Sequence, residues 1–188
     1  KQSFVLAADK AMDFIAEIKA DTGFEADTLN IGGGFGIWYT DEDAKLDVKG
    51  YAGYLEALIA AVKEKADALG LARPFLVIEP GRSIVGEAGV TLYTAGAIKD
   101  IPGVKKYVAI DGGMFDNPRY ALYQSKYTVL LANRANEKCT ERVTIAGKCC
   151  ESGDIIAVDC ALPEARRGDI VAVLSTGAYN YSMASNYN

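Results

Sequence analysis

Hydrophobic positions in residues 4–20 recur at Val5, Ala8, Met12 and Ile15, with Ala11 and Ile18 beside them. That spacing predicts a helix with one buried stripe, ended by Asp21-Thr22-Gly23. Thr28 to Ile31 then reads as a short strand running into three consecutive glycines. A polar stretch, residues 40–49, precedes a second periodic segment from Tyr51 to Leu69. Leu55, Leu58, Ile59 and Val62 form its apolar face, and Gly70 is placed to cap it. Pro74 to Ile78 is a continuous apolar run of strand length, the pattern of a parallel strand covered on both faces. The order helix, strand, helix, strand predicts part of a parallel α/β sheet or barrel.

Near Gly86 the pattern changes. Val90 to Ile98, Lys106 to Ile110, Tyr127 to Ala132, Glu141 to Ile145, Ile155 to Val158 and Ile170 to Leu174 are short β-rich runs. Turn residues separate them, among them Asp111-Gly112-Gly113, Ser152-Gly153-Asp154 and Arg167-Gly168-Asp169. Strands of this length and spacing predict an antiparallel β domain. The expected division is therefore residues 1–88, α/β, and residues 89–188, all-β with a short helical segment at the end. Two parallel strands cannot close a barrel. The missing strands are expected upstream or in another chain, and the opening at Lys1 without Met suggests a truncated piece.

Composition narrows the partners. Among 188 residues the net charge is −5, which argues against nucleic acid. No apolar run reaches membrane-spanning length. The chain has no His, and its four cysteines (Cys139, Cys149, Cys150, Cys160) form no Cys-x-x-Cys pair. No metal site is expected, and reduced thiols in a cytoplasmic protein are.

Candidate chemistry sits at strand ends, where α/β folds place their ligands. Gly32-Gly33-Gly34-Phe35-Gly36 offers bare backbone, either a flexible turn or a cradle for phosphate. Glu79-Pro80-Gly81-Arg82 ends the second parallel strand. Its charges form a rim salt bridge, or else Glu79 meets a cationic ring nitrogen and Arg82 an anion. Asp116 to Tyr123 is a loop with a second arginine, Arg119, and two tyrosines. Cys150 is either a small buried residue or a proton donor beside Glu151. Tyr179, after Gly177-Ala178, either binds a ligand or packs.

Taken together, these stretches resemble the diaminopimelate decarboxylases, pyridoxal-phosphate enzymes of the alanine-racemase-like class. The resemblance rests on five motifs in family order. They are Gly32-Gly33-Gly34-x-Gly36, Glu79 to Val85, Asp116 to Tyr123, Cys150-Glu151-Ser152-Gly153-Asp154, and Thr176-Gly177-Ala178-Tyr179 with Tyr181 to Asn188. It implies the C-terminal part of a (β/α)8 barrel followed by an antiparallel β-barrel or sandwich domain. Gly33 and Gly34 would bind the phosphate of pyridoxal 5'-phosphate, with Gly81, Arg82 and Tyr179 assisting, and Glu79 would pair with the pyridine nitrogen. Arg82, Arg119 and Tyr123, with Tyr179, would hold the carboxylate at the unreactive end of the substrate. Glu151 would take the ammonium there, and Cys150 would donate the proton that replaces CO2. The cysteine loop of such enzymes reaches into the partner subunit, which implies a homodimer. The implied reaction is decarboxylation of meso-diaminopimelate to L-lysine.

The chain departs from the family pattern in two places. The Schiff-base lysine and the ring-stacking His of the family are not found in it. Two other readings remain open: a sister decarboxylase acting on ornithine, arginine or carboxynorspermidine, and a catalytically dead homologue that acts as a binding protein. Ornithine-type enzymes resemble Cys-Asp at the thiol loop, and a basic substrate without a distal carboxylate has no use for two arginines.

Overall fold

The computed structural model describes residues 2–188. They pack as two compact units. One contains residues 2–35 and Lys45–Gly81; the other contains Gly36–Ala44 and Arg82–Asn188. The sequence boundary at 88/89 thus falls a few residues inside the second unit.

The first unit holds α1 (Gln2–Thr22), β1 (Thr28–Asn30), α2 (Val48–Leu69) and β2 (Phe75–Val77). Ala8 and Met12 of α1 and Leu58, Val62 and Ala66 of α2 lie four residues apart on single faces and are buried with Leu29. Helix α2 starts three residues before the apolar pattern does. Asp47 caps it, accepting a hydrogen bond from the Gly50 N–H at 2.8 Å. Gly70 ends it in the left-handed conformation, φ 64°, with its N–H on the last carbonyls. Strands β1 and β2 pair in parallel, Thr28 with Phe75 and Asn30 with Val77. The expected coverage of β2 on both faces is not found within this unit: Leu76 and Val77 are half-buried and Phe75 is exposed.

The second unit holds α3 (Arg82–Val85), β3 (Val90–Ile101), β4 (Lys105–Ile110), α4 (Arg119–Tyr123), β5 (Val129–Leu131), β6 (Glu141–Ala146), β7 (Ile155–Leu162) and β8 (Ile170–Leu174). The six strands form one sheet in the order β5-β8-β3-β4-β6-β7. Edge strands β5 and β7 approach each other without a hydrogen-bonded ladder, so the sheet curls into a nearly closed barrel. Alternate residues fill it: Val108 and Ile110, Val129 and Leu131, Val143 and Ile145, Val171 and Val173.

The expectation of a wholly antiparallel sheet is corrected at one place. Strand β4 pairs with β6 in parallel, Tyr107 with Thr144 and Ala109 with Ala146. The intervening 30 residues, with α4 and β5 among them, are long enough for the crossover that a parallel pair requires. Among the described residues no helix is long and apolar enough to cross a membrane.

Candidate active site

In the first unit, β1 and β2 end side by side, and their pairing continues past the strands. The Ile31 N–H donates to the Val77 carbonyl at 3.0 Å, and the Glu79 N–H to the Gly32 carbonyl at 2.8 Å. A Cβ on Gly33 would collide with the Glu79 carbonyl oxygen, so only glycine lets the two strand ends meet. Gly32 and Gly34 are left-handed, φ 74° and 93°, and a side chain on either would stand in open space. The loop is therefore bare backbone bent into a concave turn.

Asn30, which the sequence places only within the strand from Thr28 to Ile31, organises this corner. Its Oδ1 accepts from the Gly32 N–H at 2.8 Å, and its Nδ2 donates to Glu79 Oε1 at 2.6 Å. Glu79 is exposed at the strand end with this amide as its partner, which sets the carboxylate's direction without neutralising its charge. Gly81 is exposed two residues further on.

In the second unit, Arg82, Arg119, Tyr123, Tyr179 and Met183 line a cavity of about 340 Å³. Four of these were singled out from the sequence; Met183 was seen there only within the closing motif. The expected loop at Arg119–Tyr123 is a short helix, and Arg119 is 7% exposed. Its guanidinium carbon lies 5.5, 5.7 and 5.9 Å from the ring centres of Tyr123, Tyr179 and Tyr39. Its Nη2 donates to Ser125 Oγ at 3.3 Å, while its Nε has no partner; neither does the buried Nε of Arg82. Among the described residues no carboxylate pairs with Arg119. A buried guanidinium without a carboxylate is costly, and an anionic ligand offsets that cost.

Tyr179 is left-handed at φ 63°, an uncommon conformation for a tyrosine, and the turn before it is pinned. The Gly177 N–H donates to the Gly86 carbonyl and the Thr176 N–H to the Gly89 carbonyl. A Cβ on Gly177 would run into the Val85 carbonyl oxygen.

Cys150 and Glu151 sit on the β6–β7 loop, exposed, and do not line the arginine cavity. The small buried cysteine of this chain is Cys160 instead, its thiol pushed up to about 12 by burial. The Gly153 N–H and the Tyr187 hydroxyl, both 3.1 Å from the Glu151 carboxylate, hold it below the usual glutamate range. Glu151 therefore keeps its charge further into acid than an unpaired glutamate, and any contribution it makes is lost as pH falls through that lowered pKa. In Tyr187→Phe the Glu151 carboxyl is expected to titrate at higher pH than in wild type, read by carboxyl-carbon NMR; an unmoved midpoint contradicts the assignment.

Asp154, read as a turn residue, anchors this loop from within. It is 3% exposed, and its two oxygens accept from the Met114 N–H at 2.6 Å and the Cys149 N–H at 2.7 Å. Gly113 and Gly147 have no room for a Cβ because the Asp154 carboxylate fills the space. The Cys149 thiol is pushed up by burial and by Asp154. A larger hollow in the same unit, about 580 Å³, contains none of these residues. Its cations are already paired, Lys126 with Glu42 and Arg142 with Asp159.

The first unit thus carries a glycine turn beside an oriented carboxylate, and the second a barrel-like sheet with buried Arg119 and half-buried Arg82, neither of them paired with a carboxylate among the described residues. The chain belongs to the pyridoxal-dependent decarboxylases, whose C-terminal sheet domain it matches over residues 8–177. It is 54% identical over 185 residues to the diaminopimelate decarboxylase of Bacillus subtilis strain 168, covering 98% of this chain and 42% of that protein. The crystal structure of diaminopimelate decarboxylase from M. jannaschii in complex with L-lysine superposes with a TM-score of 0.84 at 36% identity, over 100% of this chain and 41% of that one. The Helicobacter pylori enzyme with L-lysine gives 0.78 at 30% identity, over 98% and 42%. The chain thus spans about two-fifths of the length of these relatives.

Proposed function

We propose that the protein carrying this chain is a pyridoxal-phosphate-dependent decarboxylase that converts meso-diaminopimelate to L-lysine, acting as a homodimer. The α1–β2 unit would be part of a (β/α)8 barrel. The observation that carries the reading is Arg119: buried, flanked by three tyrosine rings and, among the described residues, paired with no carboxylate. A substrate with a second carboxylate at its unreactive end supplies that partner; ornithine and other basic amino acids with one carboxylate do not.

The residues present fit the cofactor. The left-handed Gly32–Gly34 turn leaves open space over its backbone, and Glu79 is aimed by Asn30 rather than neutralised. Gly33 and Gly34 would hold the phosphate, with Gly81, Arg82 and Tyr179 assisting, and Glu79 would pair with the ring nitrogen and favour its protonated form. When bound, pyridoxal phosphate supplies the electron sink for the pair left behind by CO2. Arg82, Arg119, Tyr123 and Tyr179 fix the distal carboxylate. Glu151, ionised at neutral pH, takes the distal ammonium. The carbon–carboxylate bond breaks, and Cys150 Sγ delivers the proton that forms the new C–H bond. Cys150 and Glu151 act in the partner's site, in keeping with their exposure and with their absence from the lining of the arginine cavity.

The test uses the full-length protein with pyridoxal phosphate, offered meso-diaminopimelate, L-ornithine and L-arginine in turn, with CO2 release as the readout. A preference of about 100-fold or more in kcat/KM for diaminopimelate is expected, from the cost of leaving a charged site unpaired. Comparable turnover of ornithine favours the sister decarboxylase, and no turnover of any of the three favours the binding protein.

A further inference from the structure

We propose that Tyr39 is the positioning residue of the arginine pair, its ring a shared platform that sets where Arg82 and Arg119 present their guanidinium groups. This rests on the reading of those arginines as carboxylate ligands. Both guanidinium carbons lie over this one ring, each 5.9 Å from its centre. The two cations repel each other, and among the described residues neither forms an ion pair with a carboxylate that would hold it in place. The negative face of an aromatic ring attracts a guanidinium without occupying its N–H fork. The fork therefore stays available to an incoming carboxylate, which a protein carboxylate at the same place would not allow.

The platform itself is rigid. The Tyr39 carbonyl accepts from the Thr128 N–H at 2.9 Å and from Thr128 Oγ1 at 2.7 Å. Its N–H donates to Asp43 Oδ2 at 3.1 Å. Its ring meets Tyr127 edge to face, 5.4 Å between centres at 89°. The Tyr39 hydroxyl is buried without a hydrogen-bond partner, so the ring is the part that acts. The Tyr127 hydroxyl is buried beside Arg119 and Asn180 but in hydrogen-bond geometry with neither. Among the described residues the Arg119 side chain donates one hydrogen bond, to Ser125, and its guanidinium also lies over the rings of Tyr123 and Tyr179, whereas Tyr39 is the ring it shares with Arg82.

The experiment uses the full-length protein with pyridoxal phosphate and measures dissociation constants by calorimetry for two non-reacting probes. L-Lysine keeps the distal carboxylate; cadaverine is the same diamine without it. Wild type is expected to bind lysine at least ten-fold more tightly than cadaverine. Tyr39→Phe, which keeps the ring, is expected to preserve that ratio within two-fold. Incorporating 3,4,5-trifluorophenylalanine at position 39 keeps the shape and packing but removes the negative face, and is expected to cut the ratio about five-fold with cadaverine unchanged. An unchanged ratio across the series overturns the role of Tyr39, as does an equal loss of both probes or a Tyr39→Phe as impaired as the fluorinated variant. A wild type that does not distinguish the probes instead overturns the carboxylate reading beneath it.

Discussion

Arg119→Met is expected to raise the KM for meso-diaminopimelate about 100-fold while leaving the protein as stable as wild type or more so. The two effects have one cause. Arg119 is 7% exposed, its Nε has no partner, and among the described residues no carboxylate is paired with it. Binding is where that unsatisfied charge finds its anion. A fork-shaped, charge-assisted pair with a buried arginine is worth about 3 kcal/mol, or two decades of affinity. In the free protein the same charge is a burden. Replacing a buried charge with a flexible apolar side chain of similar length is often neutral or stabilising by about 1–4 kcal/mol. Methionine also packs well against the rings of Tyr39, Tyr123 and Tyr179. Steady-state kinetics and thermal unfolding of the full-length protein check the pair. A large loss of stability would make Arg119 a structural residue and remove the main support for a distal carboxylate.

The second large effect belongs to Asp154. Asp154→Ala is expected to destabilise the sheet unit by about 2 kcal/mol, since it leaves two part-buried N–H groups, of Met114 and Cys149, without their acceptor. Asparagine is not a rescue: it keeps one acceptor but turns an amide donor toward the other N–H. The catalytic consequence follows from the neighbour. Cys149 precedes Cys150, the proposed proton donor, and a donor displaced by about 1 Å loses up to about 100-fold in rate. A fall in kcat is expected together with a rise in KM, because Glu151, the proposed ligand of the distal ammonium, sits on the same loop. Calorimetry with a kcat and KM pair for Asp154→Ala and Asp154→Asn reads both effects. Wild-type stability in Asp154→Ala would sink the anchoring role, and a KM-only change would sink the link to Cys150.

Much of the secondary structure was legible because periodicity reports which face of an element is buried. Met12 and Val62 repeat at the helical period, and Val143 and Ile145 at the strand period, so α1, α2 and the six β-rich runs stand out in the bare chain. Periodicity carries no sign for strand direction, which is why the parallel β4–β6 pair was not foreseen. Local chemistry misled at Asn117-Pro118-Arg119-Tyr120. A polar, proline-containing stretch reads as a surface turn, yet Asn117 is 1% exposed and Arg119 is buried with it. Arg119 packs against the rings of Tyr39 and Tyr179, far away along the chain. Asp154 escaped notice for a related reason: an aspartate after Ser-Gly is an ordinary turn residue, and only the approach of Met114 shows that its carboxylate anchors another loop.

By itself the sequence determined the element types, the glycine turn after the first strand, and the motifs that mark the pyridoxal-dependent decarboxylases. These are properties of short windows, where backbone preference and spacing suffice. Only the tertiary structure decided which charges stay unpaired. Among the described residues Arg119 is left without a carboxylate, while Arg134 finds Glu137 and Asp169 and Lys106 finds Glu141. All of these are charged side chains in a mostly β segment, and nothing in their neighbouring residues tells them apart. What separates a binding group from a structural ion pair is which distant side chains the fold brings within a few ångströms, and that is set by packing across the whole unit.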